Sequence, residues 1–258
     1  MSLRVSLLVP LLLCAPAAWA DEASDAAAMT SPWSGSLGEL GFASAHGNSN
    51  TESFNGHLKL MYSDDDWVHS MDVFGLRSSA DYTESNDDGS TRRHHETTAN
   101  RYTGSAGSAL QLGEHRQLTA TVRYESDDFA TYDRQGSFGL GYGTRLIDGE
   151  RLVLDTQIGP GVRRSHNADT DENRTGLIGR GLFDLKFDIT DNTQLVNTLL
   201  VESGSYNTFA QNDFGVSVAM NSHFALKAGW QARYNSDVSE NSHKTDTLAT
   251  MNVVYNFK

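Results

Sequence analysis

The chain ends in a stretch that alternates apolar and polar side chains, Thr247-Leu-Ala-Thr-Met-Asn-Val-Val-Tyr-Asn-Phe-Lys258. Successive side chains of a β-strand point to opposite faces, so Met251, Val253, Tyr255 and Phe257 share one face of a predicted strand. A final strand with one apolar face and an aromatic end is typical of a transmembrane β-barrel, because it must pair with the first strand to leave no edge exposed to lipid. We therefore interpret these four residues as the signal that closes a barrel.

Residues 1–20 have the pattern of a secretory signal peptide. Arg4 supplies the positive charge, residues 5–14 form an apolar core, and Ala18-Trp-Ala20 provides a cleavage site of small residues. The core is too short to span a bilayer as a helix. Cys14 is the only cysteine, so the mature chain has neither disulfides nor thiolate metal sites. We predict a signal peptide at 1–20, a periplasmic lead-in at 21–32 and a barrel domain at 33–258.

The alternation seen at the end of the chain recurs from Trp33 onward. For example, Leu118, Ala120, Val122 and Tyr124 alternate with polar residues, and similar stretches begin near positions 54, 138, 152, 183, 214 and 224. Apolar residues toward lipid and polar residues toward the lumen form the strand signature of a membrane barrel.

Short connections alternate with longer polar ones between these stretches. The short connections are 63–66, 113–116, 148–150, 190–193 and 221–223, and the long ones are 47–53, 79–100, 126–135, 164–175, 203–213 and 235–246. These connections imply an even number of strands with both ends on the periplasmic side. We predict an all-β fold, namely a transmembrane antiparallel up-and-down β-barrel of about 12 strands.

A soluble β-sandwich or a lipocalin-like barrel has the same period of two, with its apolar face turned inward. The signal peptide, the aromatic strand ends and the alternation of short and long connections favour the membrane barrel. The predicted location is the outer membrane of a Gram-negative bacterium.

Two local features are also predicted. Leu146 and Leu152 both face lipid only if the connection between them has odd length, which a three-residue hairpin with Gly149 in the left-handed region provides. In the strand after Trp67, Met71 and Val73 favour one face while Phe74 and Leu76 favour the other, which leaves room for a bulge.

Several further stretches are spread over nearly the whole mature chain. They are Gly41-Phe42, residues 47–51, Arg123-Tyr124-Glu125, residues 141–147, residues 159–164, residues 200–204 and residues 234–238. In these stretches the chain resembles the salt-induced outer-membrane protein family of Gram-negative bacteria, a domain of unknown function. The resemblance implies an outer-membrane location and, in some members of the family, a link to salt or alkaline conditions. It implies no activity and no catalytic residues.

Charged residues of both signs lie on the faces that we assign to the lumen. They are Arg123, Glu125, Arg145, Asp155, Arg180, Asp184, Lys186, Glu202, Lys227 and Arg233, together with Glu39 and Lys59. Paired charges would fill a narrow barrel, since unpaired charges there are costly. Alternatively, they set the selectivity of a pathway for ions or small solutes. We favour the filled barrel, because large aqueous pores belong to barrels with more strands.

An enzyme is the alternative function. Some outer-membrane barrels of this size are phospholipases, which need a serine nucleophile and a histidine base. None of the 9 histidines has a serine two residues later. The stretch Asp169-Thr-Asp-Glu-Asn173 begins like a calcium loop but lacks its sixth-position glycine. We predict no catalytic residues, no cofactor and no metal.

The favoured function is therefore a non-enzymatic outer-membrane barrel, either a narrow channel or a structural component of the envelope, with a lipid-modifying enzyme as the alternative. Its expected partners are outer-membrane lipid, lipopolysaccharide and, during insertion, the barrel assembly machinery. The net charge of −13 disfavours nucleic acid as a partner.

Overall fold

The computed structural model describes residues 31–45, 50–85, 91–239 and 243–257. The predicted signal peptide at 1–20, and residues 21–30 of the predicted lead-in, lie outside the described residues. The described part of the chain contains no helix that is long and apolar enough to cross a membrane.

Twelve β-strands form one closed sheet. They are β1 (Leu37–Ala45), β2 (Asn50–Ser63), β3 (Trp67–Ser85), β4 (Thr91–Gln111), β5 (Arg116–Asp127), β6 (Tyr132–Asp148), β7 (Leu152–Asn167), β8 (Glu172–Thr190), β9 (Thr193–Gly204), β10 (Thr208–Ala219), β11 (Phe224–Asn235) and β12 (Thr245–Asn256). Each strand is antiparallel to its sequence neighbours, and β12 closes the ring by pairing with β1 from Leu37–Asn256 to Gly41–Asn252. The predicted all-β barrel of about 12 strands, closed by its last strand, is confirmed.

The wall of the barrel is apolar outside and polar inside. On β5, Val122 and Tyr124 are 52% and 45% exposed, whereas the intervening Arg123 and the following Glu125 are only 8% and 1% exposed. We call the exposed apolar residues of the wall the outer apolar band: Leu40, Leu58, Met71, Val122, Phe138, Leu140, Ile158, Val162, Leu177, Phe183, Phe214, Val218, Leu226, Trp230, Met251 and Val253. This distribution suits a barrel surrounded by hydrocarbon, where only the lumen can satisfy polar groups.

The two ends of the barrel differ in their connections. One end, the short-turn end, carries the turns at 64–66, 112–115, 149–151, 191–192 and 220–223, and the opposite end is called the long-loop end. Aromatic rings cluster at the short-turn end: Trp33 lies 5.2 Å from Tyr62 and Tyr255 lies 5.1 Å from Phe257 between ring centroids. Such rings are expected where a barrel wall meets the membrane interface.

The long connections are shorter than predicted, because the strands continue into them. The prediction of a loop at 79–100 is wrong for most of its length: β3 runs to Ser85 and β4 begins at Thr91. The polar composition of this segment resembles that of a loop. A hairpin with water on its outer face, however, needs no apolar side chains for its hydrogen-bonded ladder.

The connection between β6 and β7 has three residues, as predicted, but other parts of the two local predictions need correction. Among the described glycines, only Gly35 and Gly113 have positive φ, so Gly149 is not left-handed. Instead, the register shifts between Arg145 and Ile147, so that one extra residue of β6 lies in the ladder with β7. This bulge lets the apolar residues on both sides of the turn face the same way. Near Trp67 the ladder from Val68 to Ser78 is regular, and its first irregularity lies between Ser78 and Ser79.

The charged lumen as candidate functional site

A cluster of ion pairs spans the lumen toward the long-loop end. Arg233 on β11 contacts the Glu125 carboxylate on β5, and its Nη1 donates to Asp127 Oδ2 at 2.9 Å. Arg123 also pairs with Glu125. In a ring of 12 strands, β5 and β11 lie on opposite walls. This cross-lumen cluster of Arg123, Glu125, Asp127 and Arg233 therefore bridges the full width of the barrel.

An aromatic ring packs within the cross-lumen cluster. Phe209 on β10 is 1% exposed, and the guanidinium carbons of Arg123 and Arg233 lie 4.9 and 5.6 Å from its ring centroid. Cations are attracted to an aromatic face most strongly where water is absent. Phe209 therefore fills the space beside the ion pairs and holds both arginines near Glu125.

A further arginine extends this layer toward β4. Arg101 is 8% exposed, donates from Nη2 to Gln231 Oε1 at 2.5 Å, and lies 5.2 Å from the centroid of the Phe74 ring. Gln231 in turn donates to Asp213 at 2.6 Å. A cavity of about 370 Å³ at the long-loop end is lined in part by Arg101 and Arg233.

A second buried layer surrounds Glu202 on β9. Its carboxylate lies 3.6 Å from Nη1 of Arg163 and 3.6 Å from Nε of Arg180, and it accepts a hydrogen bond from Ser137 Oγ at 2.9 Å. Arg163 also donates to the backbone oxygen of Asn207 at 2.5 Å. The two guanidinium groups compensate the burial of the carboxylate.

The connection after β11 folds over the long-loop end. Asp237 accepts a hydrogen bond from the Tyr132 hydroxyl at 2.5 Å and lies 3.6 Å from Nη1 of Arg174. Ser239 contacts Thr131 at 3.2 Å. Burial, and then the hydrogen bond to Asp237, raise the pKa of Tyr132. These contacts narrow the entrance above the cross-lumen cluster.

A third cluster lies nearer the short-turn end. Glu39 on β1 accepts hydrogen bonds from Lys227 Nζ at 2.7 Å and from Asn252 Nδ2 at 3.0 Å. The His57 ring lies 3.5 Å from Glu39 through Nδ1 and 2.8 Å from Asp72 through Nε2. Two carboxylates thus face a lysine and a histidine, so the charges can balance when His57 is protonated.

The remaining predicted lumen charges do not join these buried clusters. Arg145 pairs with Asp155 at 2.9 Å and with Asp148 at 3.2 Å near the short-turn end, where its side chain is 37% exposed. Asp184 lies opposite Asp155 on β8. Across the ranges that the structure covers, neither Asp184 nor Lys186 has an ion-pair partner. These residues line the more exposed part of the lumen near the short-turn end.

Sequence reasoning missed several members of the buried layers: Arg101, Asp127, Phe209 and Arg163. Asp127 continues the alternation of Arg123 and Glu125, and this signal could have identified it. It falls within a predicted loop, however. Arg163 alternates with Ser165 on the inward face of β7, and both are buried, but the neighbouring Arg164 obscures the period in the sequence.

The comparisons with known proteins agree with this architecture. "Uncharacterized protein YdiY" of Escherichia coli (strain K12) is 24% identical over 232 residues, which are 90% of this chain and 86% of that protein. The solved NanC porin is similar with a TM-score of 0.51 at 10% identity, covering 86% of this chain and 99% of that chain. This likeness concerns the fold alone.

A second solved structure, the COG4313 outer membrane channel from Pseudomonas putida F1, is similar with a TM-score of 0.49 at 13% identity, covering 92% of this chain and 100% of that chain. The family model described as "Protein of unknown function, DUF481" matches residues 38–257, which include nearly all of the barrel. The chain therefore belongs to the DUF481 family.

Proposed function

We propose that this protein is a non-enzymatic barrel of the outer membrane of a Gram-negative bacterium, and that its lumen is closed to solutes. The contact of Arg233 with Glu125 and Asp127 on the opposite wall carries this proposal. Because side chains of facing walls meet there, and Phe209 packs beside them, the cross-lumen cluster acts as a plug.

The membrane location is supported by the distribution of polarity. The outer apolar band faces outward, polar groups face the lumen, and short turns lie at one end of the barrel. Bacterial outer-membrane barrels place short turns in the periplasm and longer loops outside. The long-loop end is thus the extracellular end.

A closed barrel serves the envelope as a structural component. Its partners are outer-membrane lipid, lipopolysaccharide and the assembly machinery that inserts it. The salt-related role that the resemblance implies stays a prediction. Buried ion pairs such as that of Arg233 with Glu125, whose side chains are 3% and 1% exposed, fit this role because salt screens them much less than exposed pairs.

Conductance in a planar bilayer tests the plug. We expect no steady current through the parent, and a steady current when both cross-lumen partners are shortened in the double variant Glu125→Ser/Arg233→Ser. The matched control is Arg145→Ser/Asp155→Ser, which removes an exposed pair near the short-turn end and should stay closed. A heat-modifiable gel shift verifies that each barrel is folded. A steady current through the folded parent would overturn the plug.

A lipid-modifying enzyme is the second candidate, favoured by one contact. His69 Nδ1 lies 2.9 Å from Ser108 Oγ, and the two residues are opposite each other on β3 and β4. Both face outward, where a lipid ester could reach them. A serine nucleophile next to a histidine base is the minimum for acyl transfer. Within the described ranges, no carboxylate contacts the other nitrogen of this ring, so the pair ranks second.

Phospholipid hydrolysis by the purified barrel tests this candidate. The enzyme reading requires activity in the parent that Ser108→Ala abolishes, whereas Ser70→Ala, on the inward face of β3, retains it. No release of fatty acid by the folded parent would eliminate the candidate.

A further inference from the structure

Three side chains form a cationic group on the outside of the barrel, directly above the outer apolar band. Phe138 and Val162 are an outward-facing pair of the band on β6 and β7. Toward the long-loop end, the next outward position on β7 is Arg164. Two residues further along β7, His166 lies opposite Arg134 on β6. We call Arg134, Arg164 and His166 the outer cationic patch.

Arg164 is available for a ligand. Its side chain is exposed, and it makes no hydrogen bond or ion pair with any part of the chain that the structure describes. Since strand residues alternate and rise about 3.3 Å each, Arg164 lies about 7 Å beyond Val162 on the same outward face. A guanidinium in this position has five free donors at the edge of a hydrocarbon-facing surface.

The other two members are held in place by carboxylates. A register shift between Tyr132 and Arg134 brings Asp133 within 2.6 Å of His166 Nδ1, and Asp171 lies 3.0 Å from Nε2. Arg134 Nε lies 3.2 Å from Asp133, and its side chain is still 55% exposed. Three cationic groups against two carboxylates leave the patch net positive when His166 is protonated.

The surface below the patch is suited to acyl chains. Leu177 on β8 lies opposite Val162 and is 77% exposed, and Phe138 and Leu140 on β6 are 50% and 53% exposed. This apolar surface continues without interruption into the cationic patch. A soluble anion would use only the cations, whereas a lipid would use both parts.

We propose that the outer cationic patch docks the phosphate group of a phosphorylated glycolipid in the outer leaflet, with its acyl chains against Phe138, Val162 and Leu177. Arginine binds phosphate through parallel charge-assisted hydrogen bonds, and basic residues at a membrane surface attract anionic headgroups. The proposal rests on the outer-membrane location and names the lipid that this part of the wall selects.

Binding of lipid A to the barrel in phosphatidylcholine nanodiscs tests the site. The parent should bind bis-phosphorylated lipid A more tightly than its dephosphorylated form. The double variant Arg134→Gln/Arg164→Gln should bind the phosphorylated form roughly ten- to thirty-fold more weakly. The matched control is Arg77→Gln on β3, an exposed arginine whose cross-strand neighbours are Phe54 and Asn100, and it should bind as the parent does.

The outcomes separate this proposal from the one on which it rests. A barrel that inserts but binds both lipid forms equally overturns the site and leaves the membrane location intact. The site also fails if Arg77→Gln weakens binding as much as the double variant, or if inorganic phosphate binds as tightly as the lipid. A folded protein that does not insert into nanodiscs contradicts the membrane location itself.

Discussion

Arg163 on β7 and Glu202 on β9 form an ion pair in which both side chains are about 1% exposed, with 3.6 Å between Nη1 and Oε2. Within the part of the chain that is described, the Glu202 Oε2 atom accepts no hydrogen bond. The attraction of Arg163 and Arg180 thus compensates the buried charge of Glu202. Removing one partner of a buried pair costs much more free energy of unfolding than removing one partner of an exposed pair.

Replacing Arg163 with leucine should destabilise the barrel by about 3–5 kcal/mol, because it leaves a buried carboxylate with one cation fewer. Arg145→Leu, which removes an exposed pair, should cost only about 0–1 kcal/mol. Urea unfolding followed by gel mobility measures both. Adding Glu202→Leu to Arg163→Leu should restore part of the loss. Equal stability of the two single variants would contradict the role of burial.

Gly159→Ala should disrupt the pairing of β6 with β7. A Cβ atom at this position would lie 1.9 Å from the Leu140 backbone oxygen, whereas one at Gly179 would meet nothing within 4 Å. Overpacking against backbone costs at least about 1–3 kcal/mol. Gly179→Ala is therefore the matched control and should unfold like the parent. The prediction fails if the two alanine variants have the same urea midpoint.

Deletion of Tyr255 to Lys258 should prevent assembly. Pairing of β12 with β1 runs from Leu37–Asn256 to Gly41–Asn252, so the deletion removes the part of this seam at the short-turn end and leaves an unpaired strand edge. Deletion of Lys258 alone is the control and should assemble. Heat-modifiable mobility of the refolded chains provides the measurement. Normal assembly of the longer deletion would show that the seam tolerates its loss.

His166, which lies beyond the outer apolar band, should titrate above the ordinary value of 6.5. Hydrogen bonds to Asp133 and Asp171 raise its pKa, and the hydrogen bond to His166 lowers the pKa of Asp133 despite burial. The His166 contribution to stability is present below pH 6.5 and is lost as pH rises through the folded pKa. The Asp133 contribution is lost as pH falls through its own lowered pKa.

An NMR titration of the His166 ring measures this pKa directly. In Asp133→Asn the pKa of His166 should move back toward 6.5, because Asp133, whose hydrogen bond raises this pKa most, has lost its charge. An unchanged His166 pKa in the variant would assign the shift to another group.

The alternation of side chains was sufficient to predict the barrel and its closure, and it assigned Arg123 and Glu125 to the lumen face. It could not predict that Arg233 meets Glu125. A period of two gives the face of a strand, but the height of a residue in the barrel depends on the register of every intervening strand. Partners across the lumen therefore appear only in three dimensions.

The sequence also did not reveal the contact of His69 with Ser108 or the strands within residues 79–100. A search for a serine two residues after a histidine found none, yet Ser108 lies beside His69 from the neighbouring strand. The polar segment 79–100 resembles a loop because paired strands with water on their outer face need no apolar side chains. For His69 the partner is distant in sequence, whereas residues 79–100 pair with each other across a short turn. In neither case does the local composition contain this information.

Arg233 and Glu125 are 108 residues apart in the chain, so their contact depends on the last strands as well as the fifth. Contacts that close large loops form late, because the entropy of the chain opposes them. An unfinished barrel thus has a charged and hydrated interior along with an open edge. Addition of β11 and β12 brings Arg233 to Glu125 and Asp127 and removes the open edge in one event. We therefore expect a chain that lacks this final hairpin to have neither the cross-lumen cluster nor a closed sheet.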